Sequence, residues 1–596
     1  MKRKLPLIIL AMALAATTQA QRYLTEVFTD AQVVLTPNVP YATNINFLTS
    51  DFAGPNVAAE ITELQTDAFL GIPYPAHYYD PADPTSDVKI VELKMDVYQP
   101  DQSVDTEPAR PVVIYLHTGN LLPPPINGSP NGLKTDSCAI VACRQLARRG
   151  YVAIAIDYRL GWNPLAPTVE ERRSGLLNAV YRTIHDTKMC VRKLNETTFG
   201  ANEYAIDGTK IILLGEGTGG YIALATATLD EPAELFIEKF RPDPFDPTVS
   251  YVDTNIVGNL DGYGGQLNLY QPSAYDDAIH FCANMGGALA DTSWMADGDV
   301  PMVSAHTVRD DFAPFHSGIV VVPTTLEEVL DLQGPNVFIP LANSYGNNES
   351  FQALPNGDPF TDNARALYGT TWDVSNGGMI TIASSPEAEG MYPIIRPLRP
   401  YLTNEASPWQ WWDPNSPLAT ALVAPGVTAH MASLQSNPDM SPAKGRAYLD
   451  SVMGYLNPRI VCALALGPCV LDVIDCEGTI GGTALPGTPC DDGDPNTIDD
   501  MWDSTCTCEG IIDAIGENTI AGLEIRPNPT AGPLNITSRN EDTRGYELSD
   551  LNGRVVRSFA GRAPQYVIAR DGIENGMYQL QLQFEGGMVV RKIVLE

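Results

Sequence analysis

The sequence predicts an α/β fold in which a mostly parallel β-sheet is flanked by helices. Between residues 90 and 320, short runs of apolar and β-branched residues alternate with segments of helical periodicity, a pattern typical of a parallel sheet covered by helices. The expected strands begin at Val91, Pro111, Tyr151, Lys210 and Val300. Helices are expected over residues 138–149 and 172–194, and Gly150 is expected to end the first of them as a glycine cap.

Length and composition indicate a folded protein with several domains. The chain has 596 residues, of which 44% are hydrophobic and 18% are charged. Its 72 acidic and 37 basic side chains give a net charge of −35, which would repel nucleic acid and anionic membranes and attract divalent cations. The simpler interpretation is that the acidity keeps an exported protein in solution.

The beginning of the chain is typical of a secreted protein. Residues 1–20 combine basic Lys2, Arg3 and Lys4 with a short apolar run that ends at the small residue Ala20, which predicts a signal peptide. No later stretch approaches the roughly 20 apolar residues of a membrane-spanning helix. Export makes the ten cysteines candidates for disulfides, although the sequence does not fix their pairing.

The main domain is expected over residues 21–460, with an insertion or lid over residues 324–425. This insertion is rich in Pro, Gly, Asn and aromatic residues, including Trp409, Trp411 and Trp412. The tryptophans could form a small core of their own, because large aromatic side chains are usually buried. The alternative is a platform that faces a substrate.

Three further segments follow the main domain. Residues 461–510 are rich in Cys, Gly and Asp and have too few apolar residues for a core, so disulfides or a metal would hold this module together. A linker is expected over residues 511–522. Alternating strands with turn signals at residues 551–553 and 585–587 predict a small β-sandwich over residues 523–596.

The Cys/Asp-rich module contains a candidate calcium loop. Oxygen-bearing side chains occupy positions 1, 3, 5, 9 and 12 of the loop pattern, namely Asp492, Asp494, Asn496, Asp500 and Asp503. Thr497 stands where such loops have glycine. The alternative is an acidic turn fixed by neighbouring cysteines. Calcium is the one cofactor that the sequence suggests, and none is expected for chemistry.

A strand, a sharp turn between glycines and a helix are predicted in the stretch ILLGEGTGGYIAL. This is the context of a G-x-S-x-G nucleophile elbow, in which glycines allow the tight turn and the central residue sits beside a helix N-terminus. Gly217 occupies the central position, where the catalytic serine would be. The turn is therefore predicted without its nucleophile.

The segment from about residue 91 to 320 resembles the carboxylesterase and lipase branch of the α/β-hydrolase family. LKMDVYQP and RGYVAIAIDYRLGW resemble two of its strands, PVVIYLHTGN resembles the strand that leads into its HGGG-type loop, and GEGTGGY resembles GESAGGY with glycine in place of serine. The resemblance implies an oxyanion hole made by backbone N–H groups of Gly119 or Asn120 and of Thr218. The sequence His-Thr-Gly-Asn at residues 117–120 departs from HGGG.

The same resemblance implies an acid and a base. MVSAHTVRDDFAPF is similar to the late strand and turn that carry the family's acid, which places Asp310 in that role, with Asp311 as the alternative. The base would come later in the chain. His316 is too close to Asp310 in sequence, so His430 is the candidate, against a purely structural role for that histidine.

Three functions remain open at this point. The protein could hydrolyse carboxylic esters outside the cell by a route that does not use residue 217, for example with His430 activating water. It could bind a small ester or an extracellular polymer without catalysis, as the cholinesterase-like neuroligins do on the same scaffold. It could also be structural only. A covalent acyl-enzyme at Gly217 is excluded, because glycine offers no nucleophile.

Residues 523–596 resemble, over their whole length, the type A C-terminal sorting domain of type IX secretion cargo. The matching motifs are Pro527-Asn528-Pro529, a strand and turn with Gly553, Gly576-Met577-Tyr578 and Lys592-Ile593-Val594. The resemblance implies that the type IX secretion machinery of a Gram-negative bacterium is a partner. It also implies a secreted or surface-attached protein. The alternative is an ordinary β-sandwich binding module.

Overall fold

The described part of the chain divides into two compact units. A computed structural model describes residues 22–310, 312–321, 328–352, 354–355, 357–374, 378–396, 406–467, 469, 475–477, 484, 487–493, 497–503, 506–512, 523–539, 543–550, 554–584 and 588–596. The main unit comprises residues up to 490 together with 501–508, and the C-terminal unit comprises 491–500 and 509–596. The predicted signal peptide, the predicted turns at 551–553 and 585–587 and residues 513–522 of the predicted linker lie outside the described residues.

The strands and helices are numbered in chain order. The strands up to residue 428 are β1 (Val33–Ile45), β2 (Ile90–Pro100), β3 (Arg110–Leu116), β4 (Val152–Ile156), β5 (Ile206–Glu216), β6 (Phe281–Met285), β7 (Met302–Thr307), β8 (Ser317–Val321), β9 (Glu328–Gln333), β10 (Thr371–Asp373), β11 (Met379–Thr381), β12 (Met391–Ile394), β13 (Leu422–Ala424) and β14 (Val427–Thr428). The α-helices are α1 (Val57–Leu70), α2 (Ser137–Arg148), α3 (Val169–Phe199), α4 (Thr218–Thr228), α5 (Thr254–Val257), α6 (Pro335–Ser344), α7 (Glu349–Gln352), α8 (Pro359–Leu367), α9 (Pro417–Thr420), α10 (Ala429–Ser433) and α11 (Pro442–Ala463). Short 3₁₀ helices occupy Asp30–Gln32, Ala76–Tyr78, Pro232–Phe236, Glu238–Phe240 and Thr292–Trp294.

An eight-stranded sheet organises the main unit. Its strand order is β1-β2-β4-β3-β5-β6-β7-β12, and β2 runs antiparallel to both of its neighbours while every pair from β4 to β12 is parallel. This order, together with the turn from β5 into α4, is that of an α/β-hydrolase fold. The fold class predicted from the sequence is therefore confirmed.

The central strands are buried on both faces, as their nearly continuous apolar sequences predict. In β3, Val112, Ile114 and Leu116 pack on the face covered by α3 and α4. Val113 and Tyr115 of the same strand pack on the opposite face, against α2 and α11. Because side chains alternate along a strand, one short apolar run supplies both cores and holds the elbow between them.

Three strands of the sheet carry no clear sequence signal. The edge strand β1 contains Pro37 and Pro40, and β6 contains the polar residue Asn284. The last strand, β12, lies inside the range 324–425 that was expected to be an insertion, so this range also contributes to the central sheet. Helix α11 continues past the expected boundary at residue 460 and ends at Ala463.

Three disulfides hold the cysteine-rich region after α11, namely Cys462–Cys469, Cys476–Cys506 and Cys490–Cys508. The other four cysteines, Cys138, Cys143, Cys190 and Cys282, are buried free thiols within the core. Cross-links are thus confined to the region that has little apolar material of its own. Strands β15 (Thr497–Trp502) and β16 (Cys508–Ile512) form a two-stranded sheet there.

Two antiparallel sheets around one small core form the remainder of the C-terminal unit. Its strands are β17 (Leu523–Arg526), β18 (Leu534–Ser538), β19 (Thr543–Asp550), β20 (Val555–Ala563), β21 (Gln565–Ile568), β22 (Gly576–Gln583) and β23 (Met588–Leu595). The sheet orders are β17-β18-β21 and β20-β19-β22-β23. Ile536 and Ile568 of one sheet and Leu548, Leu580 and Ile593 of the other share the core, which is the predicted β-sandwich.

None of the helices among the described residues is both long enough and apolar enough to cross a bilayer.

Candidate functional site

The elbow is a tight turn between β5 and α4. Gly217 has φ +52° and ψ −114°, a sparsely populated region, and its N–H donates to the carbonyl of Met285 (2.7 Å). A Cβ on Gly219 would lie less than 3.0 Å from the backbone carbonyl of Leu116, and a Cβ on Gly215 would lie equally close to the backbone of Gly219. The two flanking glycines are therefore required by backbone packing.

The space beside Gly217 is filled by a residue from another strand end. A Cβ built on Gly217 would lie less than 3.0 Å from Oγ1 of Thr118 and 3.1 Å from its Cβ. Thr118 follows β3 and occupies the first position after the histidine of the HGGG-type loop, where the family pattern has glycine. The hydroxyl of Thr118 therefore lies where a serine side chain at position 217 would begin.

The predicted oxyanion residues meet at this turn, but one donor is already bonded. The N–H of Asn120 donates to Oγ1 of Thr218 (2.8 Å), while the indole N–H of Trp162 donates to the carbonyl of Asn120 (2.7 Å). Gly119 and Asn120 both have positive φ, +123° and +55°. The positive φ angles give the loop a tight turn suited to an oxyanion site. The hydroxyl of Thr218, however, already accepts the hydrogen bond that the Asn120 N–H would donate to a substrate oxygen.

His117 stabilises the loop that contains Thr118. Its ring stacks on Tyr158 with centroids 4.3 Å apart, and its Nδ1–H donates to the carbonyl of Thr118 (2.6 Å). The Tyr158 hydroxyl donates to the carbonyl of His117 (2.6 Å). Burial lowers the pKa of His117 to about 4, so the ring is neutral near pH 7 and acts as a fixed hydrogen-bond donor.

Glu216 is a buried carboxyl directly before the elbow glycine. It accepts hydrogen bonds from the hydroxyl of Tyr115 (2.7 Å), the indole of Trp409 (3.1 Å) and the amide of Gln410 (2.7 Å). Burial raises its pKa, and these three donors oppose the rise. Trp409 and Trp411 pack in the core of the main unit, together with side chains of the central sheet, rather than in a separate core of the predicted insertion.

The candidate acid, Asp310, lies three residues after the end of β7 and borders the same cavity as Gly217. Its Oδ1 accepts from the N–H groups of Phe312 (2.8 Å) and Ala313 (3.0 Å), and its Oδ2 lies 3.8 Å from Nε2 of His306. Burial lowers the pKa of His306 to about 4, so this pair is not an ion pair near pH 7. The alternative acid, Asp311, lies outside the described residues.

The candidate base, His430, is on the short helix α10. The indole N–H of Trp412 donates to its Nδ1 (3.1 Å), so the neutral ring carries its proton on Nε2. None of the hydrogen bonds found among the described residues joins His430 to Asp310, and the wall of the elbow cavity includes Trp412 but not His430. A catalytic pair made by these two residues stays a prediction.

A cavity of about 540 Å³ opens at the elbow. Thr118, Asn120 and Asp310 border it near Gly217. Most of its wall is apolar or aromatic, and includes Leu177, Val180, Tyr221, Ala225, Leu229, Leu235, Phe240, Val252, Trp294, Val329 and Leu332. The cavity therefore combines polar groups beside the elbow with a mostly apolar wall.

The candidate calcium residues are only partly described. Carboxylate oxygens of Asp491, Asp492 and Asp500 lie within 4.8 Å of one another in the C-terminal unit. Asp492 accepts from the hydroxyl of Thr497 and from the N–H of Gly510, both at 2.9 Å. Of the remaining predicted ligands, Asp494 and Asn496 lie outside the described residues and Asp503 accepts from the N–H of Thr507 (2.7 Å). Calcium binding stays a prediction.

The C-terminal part of the chain matches a known family of domains. Residues 524–596 match the family model of the secretion system C-terminal sorting domain. Among curated proteins, 160 residues are 26% identical to a non-reducing polyketide synthase of Stereocaulon alpinum, an overlap that covers 26% of this chain and only 6% of the synthase.

Solved structures similar to the chain include esterase 2 of Thermogutta terrifontis. With propionate bound, that esterase is 19% identical over 38% of this chain and 70% of its own, with a TM-score of 0.23. Phosphorylated by paraoxon, it is 20% identical over 38% of this chain and 69% of its own, with the same TM-score of 0.23. The fold assignment rests on the order of the eight strands.

The fold and the sorting domain together define the class of the protein. It is an exported protein of the α/β-hydrolase fold that carries a type IX secretion sorting domain, which directs it to the cell surface or beyond. Two features of the site, the hydroxyl of Thr118 in the nucleophile space and the hydroxyl of Thr218 on the Asn120 N–H, were not foreseen from the sequence. The departure of residues 117–120 from HGGG was the signal for the first.

The clash between Thr118 and a side chain at position 217 predicts a coupling in stability. Gly217→Ala should lower the free energy of unfolding by about 1–3 kcal/mol, through backbone strain and contact with Thr118. Adding Thr118→Ala should recover about 1 kcal/mol. Urea unfolding followed by tryptophan fluorescence measures this in the main unit, because all seven tryptophans lie between residues 162 and 502.

Gly264→Ala is the matched control for this experiment. Gly264 also has positive φ, +67°, but a Cβ there would meet nothing within 4 Å. The control should lose about 1–2 kcal/mol from backbone strain alone, and Thr118→Ala should not change that loss. An equal recovery in both backgrounds would mean that Thr118 does not fill the space beside Gly217.

Proposed function

We propose that the protein is an exported, noncatalytic binding protein that holds a small apolar molecule in the elbow cavity. The observation that carries this proposal is the filled nucleophile position, where Gly217 has no side chain and Thr118 occupies the space beside it. A serine-type mechanism needs a nucleophile at this turn and a base within hydrogen-bonding reach of it. His430, the candidate base, accepts a hydrogen bond from Trp412 and is not part of the cavity wall.

The cavity supports binding because it is large and mostly apolar. Its volume of about 540 Å³ falls within the range of pockets that enclose a small ligand, about 300–1,000 Å³. Apolar side chains from α3, α4 and β9 form its interior, so a ligand gains affinity mainly by removing apolar surface from water. This shape favours a small molecule over the extracellular polymer that the sequence left open.

Binding can be measured with the neutral fluorescent probe N-phenyl-1-naphthylamine. The wild-type protein should bind it with a Kd in the micromolar range and raise its fluorescence. Ala225→Trp should weaken binding by about tenfold or more, because Ala225 lies in the cavity wall and an indole there would fill the interior.

Ala201→Trp controls for the added indole, because Ala201 is exposed and is not part of the cavity wall. This variant should bind the probe as the wild type does. Equal binding by all three proteins would place the probe elsewhere and contradict the proposal.

A second candidate function is hydrolysis of carboxylic esters without residue 217. The favouring observation is that the Asp310 carboxylate and the Thr118 hydroxyl border the same cavity as the elbow, so a polarised water could be held between them and an ester. In this alternative, His430 acts as the base after a rearrangement that frees it from Trp412.

Turnover of p-nitrophenyl acetate and butyrate separates the two functions. Under the binding proposal, the wild-type protein hydrolyses both esters no faster than an equal amount of the heat-denatured protein. Under the ester-hydrolase alternative, the wild type turns them over, and His430→Ala reduces kcat/KM by about 100-fold or more because a general base is lost. Wild-type turnover that depends on His430 would therefore overturn the binding proposal.

A further inference from the structure

The described wall of the elbow cavity carries a negative charge and no positive one. Among the described residues that form this wall, Asp310 is the one charged side chain, and no lysine, arginine or histidine is present. The carboxyl of Glu216 is buried and accepts a hydrogen bond from Gln410, which is part of this wall. An anionic headgroup in this cavity would therefore meet negative charge without a compensating cation, in surroundings where charges are weakly screened.

Apart from uncharged side chains, an anion could be held by the backbone donors predicted for the oxyanion loop, the N–H groups of Gly119 or Asn120 and of Thr218. The N–H of Asn120 is such a donor, but it is bonded to Oγ1 of Thr218 at 2.8 Å. Thr218 is buried and sits on the first turn of α4, so its hydroxyl is held against the loop by the elbow itself. A carboxylate that used the Asn120 N–H would have to displace this hydroxyl and leave it buried without its donor.

We propose that Thr218 closes the oxyanion site from within and that the cavity consequently selects neutral apolar ligands against carboxylates of the same chain length. The proposal rests on the proposed binding function and adds the class of ligand. A long-chain alcohol or a neutral ester fits, since its head can bond to an uncharged side chain that borders the cavity, such as that of Ser407, without bringing a second negative charge near Asp310. A fatty acid anion does not fit.

Dodecan-1-ol and dodecanoate form a matched pair for the test, because they share the chain and differ in the charge of the head. Their Kd values are measured at pH 7.5 on the full chain by displacement of N-phenyl-1-naphthylamine. The wild type should bind the alcohol about tenfold or more tightly than the anion. Thr218→Ala frees the Asn120 N–H and should raise the affinity for dodecanoate relative to dodecan-1-ol by about three- to tenfold.

Thr218→Ser is the matched control, because it keeps the hydroxyl and should keep the wild-type preference. Wild-type binding of dodecanoate that equals or exceeds that of dodecan-1-ol would overturn the selection while leaving the binding function intact. An unchanged preference in Thr218→Ala would overturn the role of Thr218. Binding of neither ligand, nor of the probe, would overturn both this proposal and the binding function on which it rests.

Discussion

The close approach of helix α4 to the end of strand β3 is the constraint on which the rest of the main unit depends. Gly219 lies against the carbonyl of Leu116, and Gly215 lies against Gly219, so neither position has room for a side chain. This packing sets the turn at Gly217 and the direction of α4, and with them one wall of the cavity. These glycines are required by backbone packing. The elbow can therefore form even though Gly217, its central residue, cannot attack a substrate.

A second constraint links the elbow to a distant part of the chain. Glu216 accepts hydrogen bonds from Tyr115 on β3 and from Trp409 and Gln410, which lie about 190 residues after Glu216 in the sequence. Loss of such partners would strongly destabilise the folded state, because the cost of removing the buried carboxyl from water would no longer be offset. The segment around Trp412 is thereby fixed beside the elbow, where it forms part of the cavity wall. The segment rich in tryptophan thus contributes Trp409 and Trp411 to the core of the main unit and Trp412 to the cavity wall.

The sequence was informative where local patterning decides structure. The buried runs that became β2 to β5 and β7 and the glycines of the elbow carry their own signals, since each reflects a requirement of a few adjacent residues. Strand β12 was not foreseen, because its four residues lie in a region rich in Pro and Gly. The cysteine pairing was also beyond the sequence, since six cysteines allow 15 connectivities and the choice depends on chain geometry.

The site was harder to predict because its decisive contacts join residues far apart in sequence. The sequence placed Gly119, Asn120, Gly217 and Thr218 together, and these residues do meet at the elbow. It could not reveal that the Thr218 hydroxyl bonds to the Asn120 N–H across 98 positions, since that depends on the rotamer of one side chain and the φ of another residue. The role of His430 depends in the same way on Trp412, whose indole bonds to the imidazole.

Reaction with a fluorophosphonate tests the central claim, that the elbow holds no nucleophile, most directly. An activated hydroxyl displaces fluoride from the reagent and keeps the phosphonyl group, which intact-protein mass spectrometry detects as one added mass. A serine hydrolase in the same tube reports that the reagent is active. The wild-type protein should keep its unmodified mass at full occupancy of the control enzyme. A phosphonyl adduct mapped to Thr118 or Thr218 would contradict the claim, because it would show that an activated hydroxyl lies at the elbow beside Gly217.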